Sequence, residues 1–180
     1  DAVAVPNIHL CHDAQDFSCL VLEWIDVGEP TARSSVALGE ALANLHRTTR
    51  STFGFYRSNY IGTLTQDNPS IANWATFYGR ERILPMVKSA KQKGLLPPQT
   101  NRLADQVLRR LPDLVGATEP PSLIHGDLWG GNHLIAQSGR PWLIDPATYF
   151  ADREVDLAMM LLFGGFRRET FETYREAFPM

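Results

Sequence analysis

With 180 residues, 44% of them apolar and 21% charged, the chain is long enough to bury a sizeable core. Nothing in that composition is disordered or collagenous in character. Seventeen Lys and Arg against 20 Asp and Glu leave a net charge of −3, which argues against a nucleic-acid partner, since that role needs a basic face. The longest nearly uncharged apolar stretch, residues 157–166, is too short to span a bilayer, and no membrane partner is expected. Two Cys supply no disulfide framework, so a reducing, cytoplasmic setting is the default. The brief apolar opening, interrupted by Pro6, does not read as a signal peptide.

In chain order, Val3, Val5, Ile8 and Leu10 predict one strand and residues 17–22 a second, with a turn at residues 13–16. Gly28 and Pro30 break the pattern. A helix is predicted from about Ser35, where Leu38, Ala41, Leu42 and Leu45 recur at helical spacing. Residues 53–69, with Gly54 and Gly62, read as loop. A longer helix is predicted from Asn73, burying Trp74, Phe77, the stem of Glu81, Leu84 and Val87. Pro85 should kink or break it at Leu84, and Gly94 is its expected end. Residues 100–114 predict another helix with Leu103, Val107, Leu111 and Leu114 on one face. Beyond it come a short apolar entry at residues 122–124, a hairpin of residues 134–136 with 142–144, and helices near 155–163 and 169–178.

The segment that carries chemistry is His125-Gly126-Asp127-Leu128-Trp129-Gly130-Gly131-Asn132, followed by Leu143-Ile144-Asp145. Phosphoryl transfer needs a carboxylate to orient or deprotonate the attacking hydroxyl, and oxygen ligands to hold Mg²⁺ against the phosphates. Asp127 fits the first role, and Asn132 and Asp145 fit the second. The five-residue step from Asp127 to Asn132 matches the kinase catalytic loop H-R-D-x-x-x-x-N. A lone loop Asp is most cheaply a turn or cap, and a lone Asn a turn former; it is the set in register that points to catalysis. His125 reads as structural support for the loop. Asp156 is most cheaply an N-cap of the following helix, with a hydrogen bond to the catalytic loop as a second role. Arg153 and Glu154 read as a structural pair. His9, Cys11, His12 and Cys19 fit no zinc spacing and read as packing or surface.

These motifs resemble the fructosamine kinase (ketosamine-3-kinase) family, a branch of the protein-kinase-like superfamily that includes aminoglycoside phosphotransferases and choline kinases. The resemblance rests on residues 125–132, on Asp145-Pro146-Ala147, and on residues 153–160 with Phe163-Gly164-Gly165. Phe53-Gly54-Phe55, Asn59-Tyr60-Ile61-Gly62, Gln66-Asp67-Asn68, Trp74, Phe77-Tyr78 and Arg80-Glu81-Arg82 extend it along nearly the whole chain. Gly130 stands where the family often carries Ser, with little consequence expected. The resemblance implies an α+β, protein-kinase-like fold. Residues 1–25 would be the end of the small lobe and the hinge, and residues 26–180 a mainly helical large lobe. It also implies that Leu22, Glu23, Trp24 and Ile25 contact the adenine of ATP. Trp129 is divided evenly between substrate contact and a wedge that shapes the loop.

No G-x-G-x-x-G or G-x-x-x-x-G-K-[ST] occurs, and no Lys precedes Lys88. The family carries its phosphate-contacting Lys upstream of the point matching residue 1, and further helices beyond Met180, so a piece truncated at both ends is expected. The implied activity is ATP- and Mg²⁺-dependent phosphorylation of the sugar 3-hydroxyl of fructosamines or ribulosamines, free or on glycated amines or proteins, leading to deglycation. Phosphotransfer to an aminoglycoside or a choline-type alcohol, and a non-catalytic pseudokinase, stay open at this point.

Overall fold

The computed structural model describes residues 3–115 and 119–180. Their contacts divide the chain into two units. One comprises residues 1–48, 126–146 and 156–180, the other residues 49–125 and 147–155. Among the described residues the strands form four antiparallel pairs, and no helix is long and apolar enough to cross a membrane.

In the first unit, β1 (Ile8–Asp13) pairs with β2 (Ser18–Leu22), with a register slip between Ile8 and Leu10; Val3 and Val5, expected in the first strand, lie outside it, and Asp13, expected in the turn, ends it. Helix α1 (Ala32–His46) starts three residues before the expected Ser35. Its start is set by a reciprocal cap: the Ser34 amide donates to Thr31 Oγ1 at 3.1 Å, and the Thr31 amide donates to Ser34 Oγ at 2.8 Å. Leu38, Leu42 and His46 repeat every four residues and are all buried, so the apolar stripe ends in a histidine. A Cβ on Gly39 would sit 2.5 Å from the Thr170 carbonyl; the missing side chain lets α6 (Arg168–Ala177) lie close against α1. With β6 (His133–Ile135), β7 (Pro141–Leu143) and α5 (Glu154–Phe163), these elements enclose Leu38, Leu42, Leu128, Leu143, Met160 and Tyr174.

The second unit is built on Phe53, Trp74, Phe77, Ile124 and Tyr149, which form a continuous aromatic and aliphatic cluster. The loop expected at residues 53–69 is corrected here: β3 (Asn59–Ile61) and β4 (Leu64–Gln66) form a hairpin. Gly62 takes a φ of +54° at the first turn position, where a two-residue turn requires glycine. Pro85 produces no break. Helix α2 (Trp74–Tyr78), capped by the Asn73 side chain, passes through a π-helical turn (Gly79–Ile83) into α3 (Leu84–Gln92). The Leu84 amide reaches back to the Gly79 carbonyl, and the Glu81 carbonyl, which Pro85 cannot serve, accepts from Arg82 Nη1 at 3.0 Å. The proline's missing donor is thus accommodated by one widened turn and one side chain. Helix α4 (Pro98–Leu114) forms as predicted, but of its expected apolar face only Leu111 is buried, while Leu103, Val107 and Leu114 are exposed. Strand β5 (Ser122–Ile124) pairs with β8 (Tyr149–Ala151), a partner the sequence did not suggest.

Candidate active site

The loop from Gly126 to Asn132 is held at both of its ends. Gly126 has a φ of +83°, a left-handed conformation suited to glycine, and its amide donates to Asp156 Oδ1 at 2.9 Å. Leu128 is fully buried in the core of the first unit. Asp127 lies between these two fixed points. It is neither buried nor fully exposed.

Asn132 closes the loop. Its Nδ2 donates to the Asp127 carbonyl at 2.8 Å and to Asp127 Oδ2 at 3.1 Å. The Asn132 amide accompanies this by donating to the Trp129 carbonyl at 2.9 Å, giving the short 3₁₀ turn Gly130–Asn132. With the amide nitrogen committed to Asp127, the side-chain oxygen is the atom a cation would use. The β6–β7 pair then returns the chain: His133 opposes Leu143, and the Ile144 amide donates to the Asn132 carbonyl at 3.1 Å. Asp145 follows directly, and its carboxylate is exposed. Among the described residues it is the one non-glycine with left-handed backbone, φ +51°. That conformation costs an L-residue on the order of 1–2 kcal/mol, which the surrounding structure must hold in place.

Asp127, Asn132 and the strand end bearing Asp145 are therefore brought together. No group of three or more His, Cys, Asp or Glu with metal-binding geometry occurs among the described residues. An amide oxygen and one or two carboxylates suit Mg²⁺, which keeps several waters and takes its other ligands from phosphates. The donor set fits that ion.

The other predicted site residues divide. Trp129 is 45% exposed, and its indole covers Gly131, where an added Cβ would come within 2.3 Å of the ring. Its exposed area is available to a ligand while its other side shapes the loop. His125 is buried, and its carbonyl accepts the Ala147 amide at 2.9 Å. Asp156 is not the N-cap expected of it. It is the third residue of α5 and fully buried, and the Glu154 amide is taken instead by Asp152 Oδ1 at 2.9 Å. Arg153 pairs with Glu119, Nε to Oε2 at 2.8 Å.

Leu22 is the last residue of β2, and Glu23, Trp24 and Ile25 follow it directly. The Glu23 amide donates to the Asn7 carbonyl at 2.8 Å, and Glu23 Oε2 accepts Asn7 Nδ2 at 2.7 Å. Trp24 is 85% exposed. The segment then joins the β6–β7 hairpin, where the Asp26 carbonyl accepts the Gln137 amide and the Gly28 amide donates to Ile135, both at 2.8 Å.

His133, beside Asn132, stacks on Phe166 with ring centroids 4.6 Å apart. Burial lowers its pKa from the usual histidine value, opposed in part by a hydrogen bond to the Gly130 backbone. His46 and Tyr174, which stand behind Asp156, were missed by the sequence reading. The signal was a histidine continuing the Leu38–Leu42 stripe.

The family model for fructosamine kinase matches residues 1–180. A probable ketoamine kinase of Enterococcus faecium is 37% identical over 182 residues, covering 99% of this chain and 64% of that protein. One from Synechocystis is 38% identical over 174 residues, covering 94% and 57%. The chain thus spans about three-fifths of the length of the curated relatives it matches. The crystal structure of a candidate fructosamine-3-kinase from Thermobifida fusca superposes with a TM-score of 0.89 at 38% identity, over 99% of this chain and 60% of that one. The aminoglycoside phosphotransferase APH(2")-IIa, solved with gentamicin, superposes with a TM-score of 0.58 at 15% identity, over 98% and 59%, and shares the fold alone. The fold is protein-kinase-like, of mixed helix and strand.

Proposed function

Because this chain belongs to the fructosamine kinase family, we propose that the protein carrying it transfers a phosphoryl group from ATP to the sugar 3-hydroxyl of a fructosamine or ribulosamine, free or on a glycated protein. The 3-phosphorylated product would lose its sugar portion, which amounts to deglycation. The observation that carries this reading is the Asn132 side chain joined to both the carbonyl and the carboxylate of Asp127, one residue-step across the hairpin from Asp145.

In this reading Asp127 accepts or orients the proton of the attacking hydroxyl. Asn132 holds the carboxylate of Asp127 in a single orientation. Asn132 and Asp145 would hold Mg²⁺, which when bound neutralises charge on the phosphates. Trp129 offers an apolar face to the sugar. Residues 22–25 would line the adenine site, with the Glu23 amide already engaged by Asn7. In the same scheme residues 1–25 are the end of a small lobe with its hinge, and residues 26–180 belong to the large lobe. Most of the rate would come from positioning and charge neutralisation rather than covalent chemistry.

The test measures ADP release by the full-length protein with ribuloselysine, fructoselysine and an aminoglycoside. Ketosamines should support turnover, and Asp127→Ala should slow it by roughly 10²–10⁴-fold. Near wild-type turnover in that variant overturns the role of Asp127. Turnover on the aminoglycoside alone overturns the substrate.

A further inference from the structure

Behind the Asp127 loop runs a buried line of polar groups that phosphoryl transfer, as described above, does not use. At its far end the Tyr174 hydroxyl on α6 lies 2.8 Å from Nδ1 of His46, the last residue of α1. Nε2 of the same ring lies 3.2 Å from Asp156 Oδ2 on α5, and Asp156 Oδ1 accepts the Gly126 amide at 2.9 Å. Tyr174, His46 and Asp156 are all fully buried. Three helices thus converge, through hydrogen bonds alone, on the residue before Asp127.

The chemistry of the groups orders the line. A carboxylate only accepts, so the proton between His46 and Asp156 sits on Nε2, while the Tyr174 hydroxyl can either donate to Nδ1 or accept from it. Packing alone does not call for this arrangement. Leu38 and Leu42 precede His46 on the same stripe, and a third leucine there would fill the space but leave the buried Asp156 carboxylate without its partner. What the polar version adds is a fixed oxygen at Gly126, the point where left-handed backbone turns the chain into the loop.

We propose that His46 and Tyr174 are positioning residues for phosphoryl transfer, holding Asp156 in the rotamer that grips Gly126 and so holding Asp127 in line with the substrate hydroxyl. This rests on the reading of Asp127 as the residue that receives the proton. Neither His46 nor Tyr174 touches a ligand. Each acts only through Asp156.

The experiment compares His46→Leu, His46→Gln and Tyr174→Phe in the full-length protein. It reads melting temperature, steady-state ADP release with the ketosamine, and hydrogen exchange at the Gly126 amide. His46→Leu should lower kcat by about 10- to 100-fold, the scale on which a small misplacement of a reacting group is felt. KM values should stay within about two-fold, because ground-state binding is untouched. Glutamine can donate from Nε2 and accept at Oε1, so His46→Gln should recover most of the rate, with Tyr174→Phe between the two. Gly126 should exchange faster in His46→Leu and Tyr174→Phe, while amides of the β5–β8 pair keep their protection. Loss spread evenly over all amides would mean general destabilisation and overturns the proposal.

Wild-type turnover in a folded His46→Leu, or a His46→Gln no faster than His46→Leu at matched melting temperature, also overturns it. Where His46→Leu does not fold, Tyr174→Phe decides, and wild-type turnover with wild-type Gly126 exchange counts against the idea. A wild-type protein that releases no ADP with any ketosamine instead defeats the functional reading. Gly126 exchange then judges the positioning by itself.

Discussion

Gly130 shows how much a single hydrogen can decide in this loop. A Cβ there would meet the Gly165 Cα at 2.9 Å and the Gly164 carbonyl at 3.0 Å, and the reciprocal Cβ on Gly165 would meet Gly130 at 2.5 Å. The expectation that Gly130 has little consequence is therefore corrected: the loop rests directly on the backbone beyond α5. Gly130→Ala should lower stability by about 1–3 kcal/mol, the usual cost of overpacking, as read by chemical denaturation. His133 makes the second residue-scale prediction. Burial favours its neutral form, so its folded pKa lies below the unfolded value near 6.5. Between those two values the unfolded chain binds more protons, and stability rises with pH. The contribution of His133 is complete above about pH 6.5 and is lost as pH falls towards the folded value. Denaturation midpoints at about pH 5 and pH 7.5 should differ less in His133→Gln than in wild type.

Among the elements, the hairpin β3–β4 and the π-helical turn are joined by one residue. Arg82 is 6% exposed, and its guanidinium lies 4.0 Å from the Tyr149 ring centroid and 4.8 Å from that of Phe77. Nη1 donates to the Asp67 carbonyl at 2.9 Å, and Nη2 donates to Asn68 Oδ1. Asn68 Nδ2 in turn donates to Asn59 Oδ1 at 2.9 Å, and Asn59 Nδ2 to the Thr148 carbonyl at 2.7 Å. Short three-residue strands are marginal in isolation, so this network rather than strand length sustains the hairpin. Arg82→Met keeps much of the stacked bulk but strands the buried Asn68 Oδ1 and the part-buried carbonyls of Asp67 and Glu81. It should cost about 3 kcal/mol, seen as a lower denaturation midpoint in the full-length protein. Lysine should not restore it, having no planar fork to serve carbonyls on both sides. The same network explains why residues 53–69 read as loop. Their hydrogen bonds go to the Arg82 side chain and to backbone groups at residues 147–150, far along the chain, which local periodicity does not report.

Across the whole molecule, what could be read in advance follows the range of the forces involved. Helices α1, α4, α5 and α6, the β1–β2 and β6–β7 hairpins and the Asn73 start were legible because caps, apolar periods and turn residues act within a few positions. The Asp127–Asn132 step was legible for the same reason: one loop must hold a carboxylate and an amide against each other, and spacing alone records that. Tertiary structure decided the rest. It paired β5 with β8 across 24 intervening residues, a match that depends on what else covers both strands. It turned the Pro85 break into a widened turn by supplying Arg82 to an orphaned carbonyl. It took Asp156 off the cap, kept the hydrogen bond to the loop already offered as its second role, and placed His46 and Tyr174 behind it, since only packed helices bring residues 46, 126, 156 and 174 within hydrogen-bonding reach. The sequence by itself determined which groups are available for chemistry. The fold decided which buried partners hold them still, because burial and long-range hydrogen bonding are properties of assembled surfaces and not of neighbours along a chain.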